Sequence, residues 1–302
     1  ALDYGSRGCR FESCRGHFLY FLHHFTLKIK SYFLLIFGLT FFTKCAKKNI
    51  EIEITKISKE IHETSALEII NGNFLTLNDS GDAPLFYIFD KNGKILSKNI
   101  ISGTQNRDWE SLASDENFIY IGDIGNNMGN RKDLKIYIAD LEFNLIDSID
   151  FNYNNQSKFK KKKKNKYDAE ALVSFNDSLI IFSKNRKKLT TELYFLPKKP
   201  GQYSIKPRDS YDVNALITGG DYNSKLDLIA LVGYSYSIKN QFLFVMKNFS
   251  NFSNNPSKIK KYDIPITNAQ IEAVKIINEK EFWMTSENEG GGYPKLIKVK
   301  TK

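Results

Sequence analysis

The chain has 302 residues, 41% hydrophobic and 26% charged, with 44 Lys+Arg against 34 Asp+Glu for a net charge of +10. This composition excludes wholesale disorder and collagen-like chains, and 3 Cys in 302 residues exclude a disulfide scaffold. The charge is concentrated: residues 1–48 carry eight Lys/Arg and two Asp/Glu, residues 158–166 carry seven Lys, and the remainder is net −3. A nucleic-acid binder needs basic groups spread along a surface, so no nucleic-acid partner is expected.

In chain order, residues 1–48 read as a segment outside the fold. Gly5–Phe18 looks like a translated transfer-RNA gene, and no Met precedes Met128, so the expected true start lies within 19–31. Ser31–Thr43 is a 13-residue uncharged, mostly apolar run behind Lys28 and Lys30. A spanning helix needs about 20 apolar residues and a signal core about 7–15, so a signal or anchor segment is predicted. Cys45, just beyond it, is the candidate lipidation site of an exported, membrane-tethered protein, although Lys44 stands where that motif favours a small residue.

Residues 50–302 carry an internal repeat. Glu63-Thr-Ser65-Ala-Leu67, Asp108-Trp-Glu110-Ser-Leu112, Asp168-Ala-Glu170-Ala-Leu172, Asp212-Val-Asn214-Ala-Leu216 and Gln270-Ile-Glu272-Ala-Val274 recur at intervals of 45, 60, 44 and 58 residues. Each phrase opens a strand-like run, and further runs follow, separated by turn residues such as Asp90-Lys-Asn-Gly93. Sustained helical periodicity is nearly absent. The expected fold is all-β: a β-propeller of four-stranded blades, five in number, or six if two units are merged. The alternating Ile50–Thr55 belongs to no unit and is expected to complete the last blade and close the ring. The lysine run, near 154–166, is expected to be a solvated, mobile loop insertion or a contact for an anionic surface such as lipid head groups or polysaccharide.

In a propeller the first strand of each blade lines the axis. The phrases therefore predict an inner ring of Ser65, Glu110, Glu170, Asn214 and Glu272, with Asp79, Asp123, Lys184, Tyr234 and Glu287 just outside it on the same face. Carboxylates aimed at one axis either bind a cation or accept backbone hydrogen bonds as inter-blade glue. Glu110, Glu170, Asn214 and Glu272 are the candidate ligands for Ca²⁺ or Mg²⁺, both of which take hard oxygen donors. Asp123 is the candidate catalytic base. Asp79, Asn126, Asn127, Arg131, Lys184, Arg186, Tyr234 and Glu287 are the candidate ligand-binding residues. The folded body has one His, His62, and no Cys beyond Cys45, which excludes a His-based triad or zinc site there.

Tyr120-Ile-Gly-Asp-Ile-Gly-Asn-Asn127, Tyr167-Asp-Ala-Glu-Ala-Leu-Val173, Phe182-Ser-Lys-Asn-Arg186 and Thr191-Glu-Leu-Tyr-Phe-Leu-Pro197 resemble a family of exported β-propeller proteins from Bacteroidetes-type bacteria, over roughly residues 60–290. That family has no assigned activity, so the resemblance implies fold and export. More distantly, the repeated phrase is similar to SdiA-regulated and phytase-like propellers, which implies a Ca²⁺-associated or phosphoester-related site. The leading expectation is a module that binds a small ligand or a protein at its axial face. The alternative is a Ca²⁺-dependent hydrolase, a lactonase or phosphoesterase.

Overall fold

The computed structural model describes residues 50–254, 259–288 and 291–302. The apolar run, Cys45 and the upstream cysteines lie outside the described residues. Among the described residues no helix is long and apolar enough to cross a membrane.

Five sheets form a five-bladed propeller, as the repeat predicts. After β1 (Ile50–Lys56), blade 1 is β2 (Glu68–Ile70), β3 (Asn73–Thr76), β4 (Leu85–Phe89) and β5 (Ile95–Ile100). Blade 2 is β6 (Trp109–Ser114), β7 (Phe118–Asp123), β8 (Leu134–Asp140) and β9 (Leu145–Tyr153). Blade 3 is β10 (Ala169–Phe175), β11 (Ser178–Ser183), β12 (Thr190–Pro197) and β14 (Pro207–Asp212), interrupted by β13 (Gly201–Ile205). Blade 4 is β15 (Leu216–Asn223), β16 (Leu228–Tyr234), β17 (Gln241–Lys247) and β18 (Ile259–Ile264). Blade 5 is β19 (Ala269–Ile276), β20 (Glu281–Asn288) and β21 (Lys295–Thr301), and β1 pairs antiparallel with β21 as its outer strand.

Burial follows the position of each strand. Second strands are covered on both faces by neighbouring blades and read as continuous apolar runs, as in Leu179-Ile-Ile-Phe182, every residue of which is buried. Outer strands have one solvated face, and β5 alternates between half-buried and exposed residues. The core is accordingly five clusters, one per blade junction. Trp109, Phe86 and Tyr137 lie between blades 1 and 2, and Tyr153, Tyr194 and Ile181 between blades 2 and 3. Phe182, Phe244 and Ile229 lie between blades 3 and 4, and Phe282, Leu243 and Met284 between blades 4 and 5. Phe74, Phe89 and Leu296 close the ring between blades 5 and 1. Each such side chain contributes roughly 1.5–3 kcal/mol by leaving water.

One strand departs from the expected plan. The run Tyr203–Arg208 reads as the fourth strand of the third blade, but the chain divides it at Lys206. Gly201–Ile205 instead joins blade 2, parallel to β9. The fourth strand of blade 3 starts at Pro207, and proline, lacking an N–H to donate, is tolerated at a strand's first residue. Blade 2 thus has five strands, and its edge is tied to blade 3.

Ring closure depends on a turn in blade 1. Gly93 has φ +82 and its carbonyl accepts a 3.1 Å bond from Ser58 N–H, just past β1. A Cβ there would lie 2.2 Å from Lys56 O and 2.8 Å from Ile57 Cα. Gly93→Ala should therefore cost backbone strain plus an overpacking term of about 1–3 kcal/mol. Gly72→Ala, at φ +79 with nothing within 4 Å, should cost only the strain, about 1 kcal/mol. Denaturant melts of both variants measure the difference; equal losses would show that the Gly93 contact contributes nothing to closure.

Candidate functional site

The same backbone irregularity recurs at the start of every inner strand. Register skips one residue at Glu110 in β6, Glu170 in β10, Thr218 in β15 and Glu272 in β19. In blade 1, the bridge Thr64↔Asn78 followed by Glu68↔Leu75 leaves one extra residue on the inner side, and Ser65, whose N–H donates to Leu77 O at 3.3 Å, holds the place that follows the bridge as Glu110 follows Trp109. A β-bulge re-aims its side chain, and all five bulged side chains are buried. The inner ring is therefore Ser65, Glu110, Glu170, Thr218 and Glu272. Asn214 is not on it: the residue lies four positions earlier, exposed, at φ 47 in the turn before β15. The phrase Asp212–Leu216 imitates the repeat in composition, but its residues end β14 and turn into blade 4.

The neutral members of the ring are the inter-blade glue. Ser65 Oγ donates to Trp109 O at 3.1 Å, and Thr218 Oγ1 donates to Ile271 O at 2.6 Å, each reaching the next blade's inner strand. Ser111 Oγ accepts from Leu172 N–H at 3.1 Å, and Gln241 Oε1 from Ile271 N–H at 3.0 Å. An ionised carboxylate cannot donate to a carbonyl, so Glu110, Glu170 and Glu272 need other partners.

Those partners come from the loops on the same face. Lys184 and Arg186 both bind Glu170, Arg186 at 3.5 Å, and Arg186 Nε also donates to Asp168 Oδ2 at 2.7 Å. Burial alone would lower the Lys184 ammonium, but Glu170, Tyr234 and Glu272 together more than offset it and Lys184 ends well above its ordinary range. The Lys184 Nζ sits 5.0 Å from the Tyr234 ring centroid. Gln270 hydrogen-bonds Glu272. Glu110 has no equivalent, and its buried Oε1 lacks a hydrogen-bond partner. Ligand atoms of Asp79, Asp108 and Glu110 lie within 4.8 Å of one another. A Cβ at Gly125 would lie 2.5 Å from both Asp108 Oδ2 and Glu110 Oε1, so only glycine lets the chain pass so close to the pair.

Asp79, Lys184, Tyr234 and Glu287 follow their blades' equivalent pairing positions (Asn78, Ser183, Gly233 and Ser286), as the spacing predicts. Asp123 is one residue out of step: it pairs with Trp109, and Ile124 takes the matching place. A one-residue offset turns a side chain to the other face. Asp123 binds Arg131 Nη1 at 2.8 Å and accepts from Asp108 N–H at 3.1 Å, so it is committed to holding the loop. Arg131 also donates to Gly125 O at 2.9 Å. Asn126, buried, accepts from Arg131 N–H at 2.9 Å and donates to Tyr167 O at 3.0 Å. Asn127 is exposed, and its Oδ1 accepts from Arg186.

The residues missing from the expected site are Asp108 and Asp168. Both stand in the repeated phrase, two positions before the glutamate. Each aspartate directly precedes its inner strand and the bulge falls on the glutamate, and the paired carboxyls meet at the mouth, where Asp108 joins Glu110 and Arg186 binds both Asp168 and Glu170. The signal was the Asp-x-Glu pair itself.

The eight carboxylates Asp79, Asp108, Glu110, Asp123, Asp168, Glu170, Glu272 and Glu287 outnumber the three cations Lys184, Arg186 and Arg131. Burial and its acidic neighbours push Asp108 up to about 7 and Glu287 up to about 8, and burial pushes Glu170 up to about 7 against the pull of Lys184. Burial, then mutual repulsion, also raises Glu110; burial raises Glu272 despite nearby Lys184.

No family model and no curated protein sequence matches the chain. Solved structures are similar in fold. A hydrazine synthase of Kuenenia stuttgartiensis shares 10% identity with TM-score 0.41 over 80% of this chain, which spans 64% of that one. A PQQ-bound aldose sugar dehydrogenase of Streptomyces coelicolor shares 9% identity with TM-score 0.48, covering 84% of this chain and 99% of that one. A protein described as exported from Bacteroides fragilis shares 10% identity with TM-score 0.42, covering 85% and 96%.

The raised carboxyls set a pH dependence. Each holds its proton longer in the folded state than in the unfolded chain, where it titrates near 4. The stability this gives is full below about pH 4 and is lost as pH rises through about 7 for Asp108 and Glu170 and about 8 for Glu287. In metal-free buffer the melting temperature should fall from pH 5 to pH 8, each group adding at most about 1.4 kcal/mol per pH unit. A flat or rising profile over that interval would show that the cluster is already compensated.

Proposed function

We propose that the chain is an exported five-bladed propeller that binds its ligand at this axial face through a divalent cation held by Asp79, Asp108 and Glu110. The observation that carries the reading is the buried, unpartnered Oε1 of Glu110 beside two further carboxylates within 4.8 Å. A buried ionised oxygen without a partner is costly, and Ca²⁺ or Mg²⁺ with oxygen ligands removes that cost. The set differs from the one the repeat suggested. Glu170 already answers to Lys184 and Arg186, Glu272 to Gln270, and Asn214 lies off the ring. Export, with tethering through the N-terminal segment, rests on the apolar run Ser31–Thr43 and on Cys45.

The measurement is thermal stability in CaCl₂ or MgCl₂ at pH 8. The cation should raise the melting temperature, since saturation at 100-fold over Kd stabilises by about 2.7 kcal/mol. Asp108→Asn and Glu110→Gln should abolish the rise, and Glu110→Gln should itself stabilise the metal-free protein by removing a buried carboxyl whose ionisation burial and its acidic neighbours oppose. If neither ion shifts the wild-type protein, or both variants respond as it does, the cation reading falls.

Lys184 and Arg186 beside the carboxylates favour a second reading, a cation-dependent lactonase or phosphoesterase in which they would neutralise developing negative charge on the substrate. Asp123, held by Arg131, is poorly placed to act as base. On this reading Ca²⁺-supported turnover of a lactone or phosphoester panel should drop at least about 100-fold in Glu110→Gln. Turnover indifferent to Ca²⁺ and to that substitution would remove the enzyme reading and leave the binding module.

A further inference from the structure

The lysine run is not the free loop its composition suggests. It lies in the connection Asn154–Asp168 between β9 and β10, on the face where the inner strands begin. Its entry is clamped by β13: Asn154 N–H donates to Ile205 O at 2.9 Å. Its middle is held by Lys162 N–H donating to Met128 O at 2.7 Å. Gln156 Nε2 donates to Gly129 O at 2.8 Å. The buried Asn165 side chain donates to Asn127 O at 3.0 Å and Lys162 O at 3.1 Å, and accepts from Tyr167 N–H at 2.8 Å.

Lys158 and Lys160–Lys164 are nonetheless exposed. Among the described residues the run's one ion pair is Lys166 to Glu192, at 3.8 Å. Lys132 joins the patch through the Phe159 ring, its Nζ 5.0 Å from the centroid. Exposed Lys187 and Lys188 extend it beyond Arg186. Like charges on a free chain relax by spreading apart. Here the backbone is pinned and they cannot, so a concentrated positive rim stands beside the mouth. Asn127 joins the two: its carbonyl accepts from Asn165 of the lysine loop, and its side chain accepts from Arg186 of the mouth.

We infer that this rim is a binding track for an acidic polysaccharide, laid along the lysine loop with its end directed past Arg186 to the mouth. The inference deepens the proposed function by naming the ligand class, and its cation-bridged end rests on that reading; the track itself does not. A linear polyanion follows a narrow rim and gains by releasing counterions. A flat anionic membrane suits the face less well, because the acidic mouth beside the rim would be pressed against it. That face also lies at the opposite ends of the strands from Ile50, where the chain enters the propeller. Single-stranded nucleic acid is held largely by stacking on aromatic platforms, and Phe159, the loop's one aromatic between Asn154 and Lys166, is half-buried and already engaged by Lys132.

The test measures binding of the full chain to heparin and polygalacturonate, with an oligo-dT strand and phosphatidylglycerol vesicles as the other arms. Wild-type protein should bind the polysaccharides, with affinity falling on the order of 100-fold or more between 50 and 200 mM salt. The five-site variant Lys160,161,162,163,164→Gln should weaken binding more than tenfold with an unchanged melting temperature, because the anchors are a backbone N–H and the Gln156 and Asn165 amides. Unchanged binding in that variant overturns the track, and so does tighter binding to oligo-dT or vesicles. Chelator distinguishes the two readings. Polysaccharide binding that persists in EDTA, in a protein whose melting temperature ignores Ca²⁺, sinks the cation and keeps the track. A Ca²⁺ response without polysaccharide binding does the reverse.

Discussion

Five inner strands begin at one axis, and a bulge in each turns a side chain into the same buried volume. Charge balance in that volume is the constraint on which the rest depends. Where the residue is Ser65 or Thr218, its hydroxyl donates to the next blade and the position becomes a staple. Where it is a glutamate, no carbonyl can serve it, and counter-charge must arrive from elsewhere. Blade 3 supplies its own, through Lys184 and Arg186. Blade 2 supplies none to Glu110, because the position matching Lys184 is Ile124 and Arg131 pairs with Asp123 at 2.8 Å, with Asp133 at 3.4 Å and with Asp108 at 3.9 Å. The imbalance around Glu110 follows from that one difference between two otherwise similar blades.

The far end of the axis makes the contrast plain. There Lys275 of blade 5 binds Glu68 of blade 1 at 2.6 Å and Asp221 of blade 4 at 2.9 Å, and Asp221 also accepts from Ile276 N–H at 2.8 Å. Two acids meet a cation and a backbone donor, and the group reads as a buried staple whose value lies in joining three blades. Glu68 is raised by burial and Lys275 by its two carboxylates, yet both have partners. Perturbed titration therefore does not by itself mark a site. The unpartnered oxygen separates the Glu110 end from the Lys275 end.

The fold was legible because blades repeat: a strand pair that recurs five times states its own architecture, and Ile50–Thr55 announced the closing strand by belonging to no unit. The site was legible only where composition and register coincide. Glu110, Glu170 and Glu272 could be read because the bulge falls on the repeated acid. Thr218 could not, since a threonine in Leu-Ile-Thr-Gly-Gly looks like strand interior, while Asp212–Leu216 matched the phrase by letter and drew the reading to Asn214. Asp123 failed for a related reason. Asp123 lies 13 residues after Glu110, whereas Asp79 and Lys184 lie 14 after Ser65 and Glu170, so the acid falls at the paired position and Ile124 takes the matching place. Spacing along the chain carries pairing register only to within the single residue that decides which face a side chain takes.

Blades 2 and 3 hold nearly everything that could engage a ligand: Asp108 and Glu110, Asp168 and Glu170, the Asp123–Arg131 loop, Arg186 and the lysine loop. The strand that breaks the repeat ties these two together. By leaving blade 3 to pair with β9, β13 sets Ile205 beside Tyr153 and fixes where the lysine loop begins. It also widens blade 2 at the edge opposite the axis, so the sector with the most exposed charge is braced from outside as well as from the core. A departure from the strand pairing of the blade plan is thus found where a charged loop has to be held still.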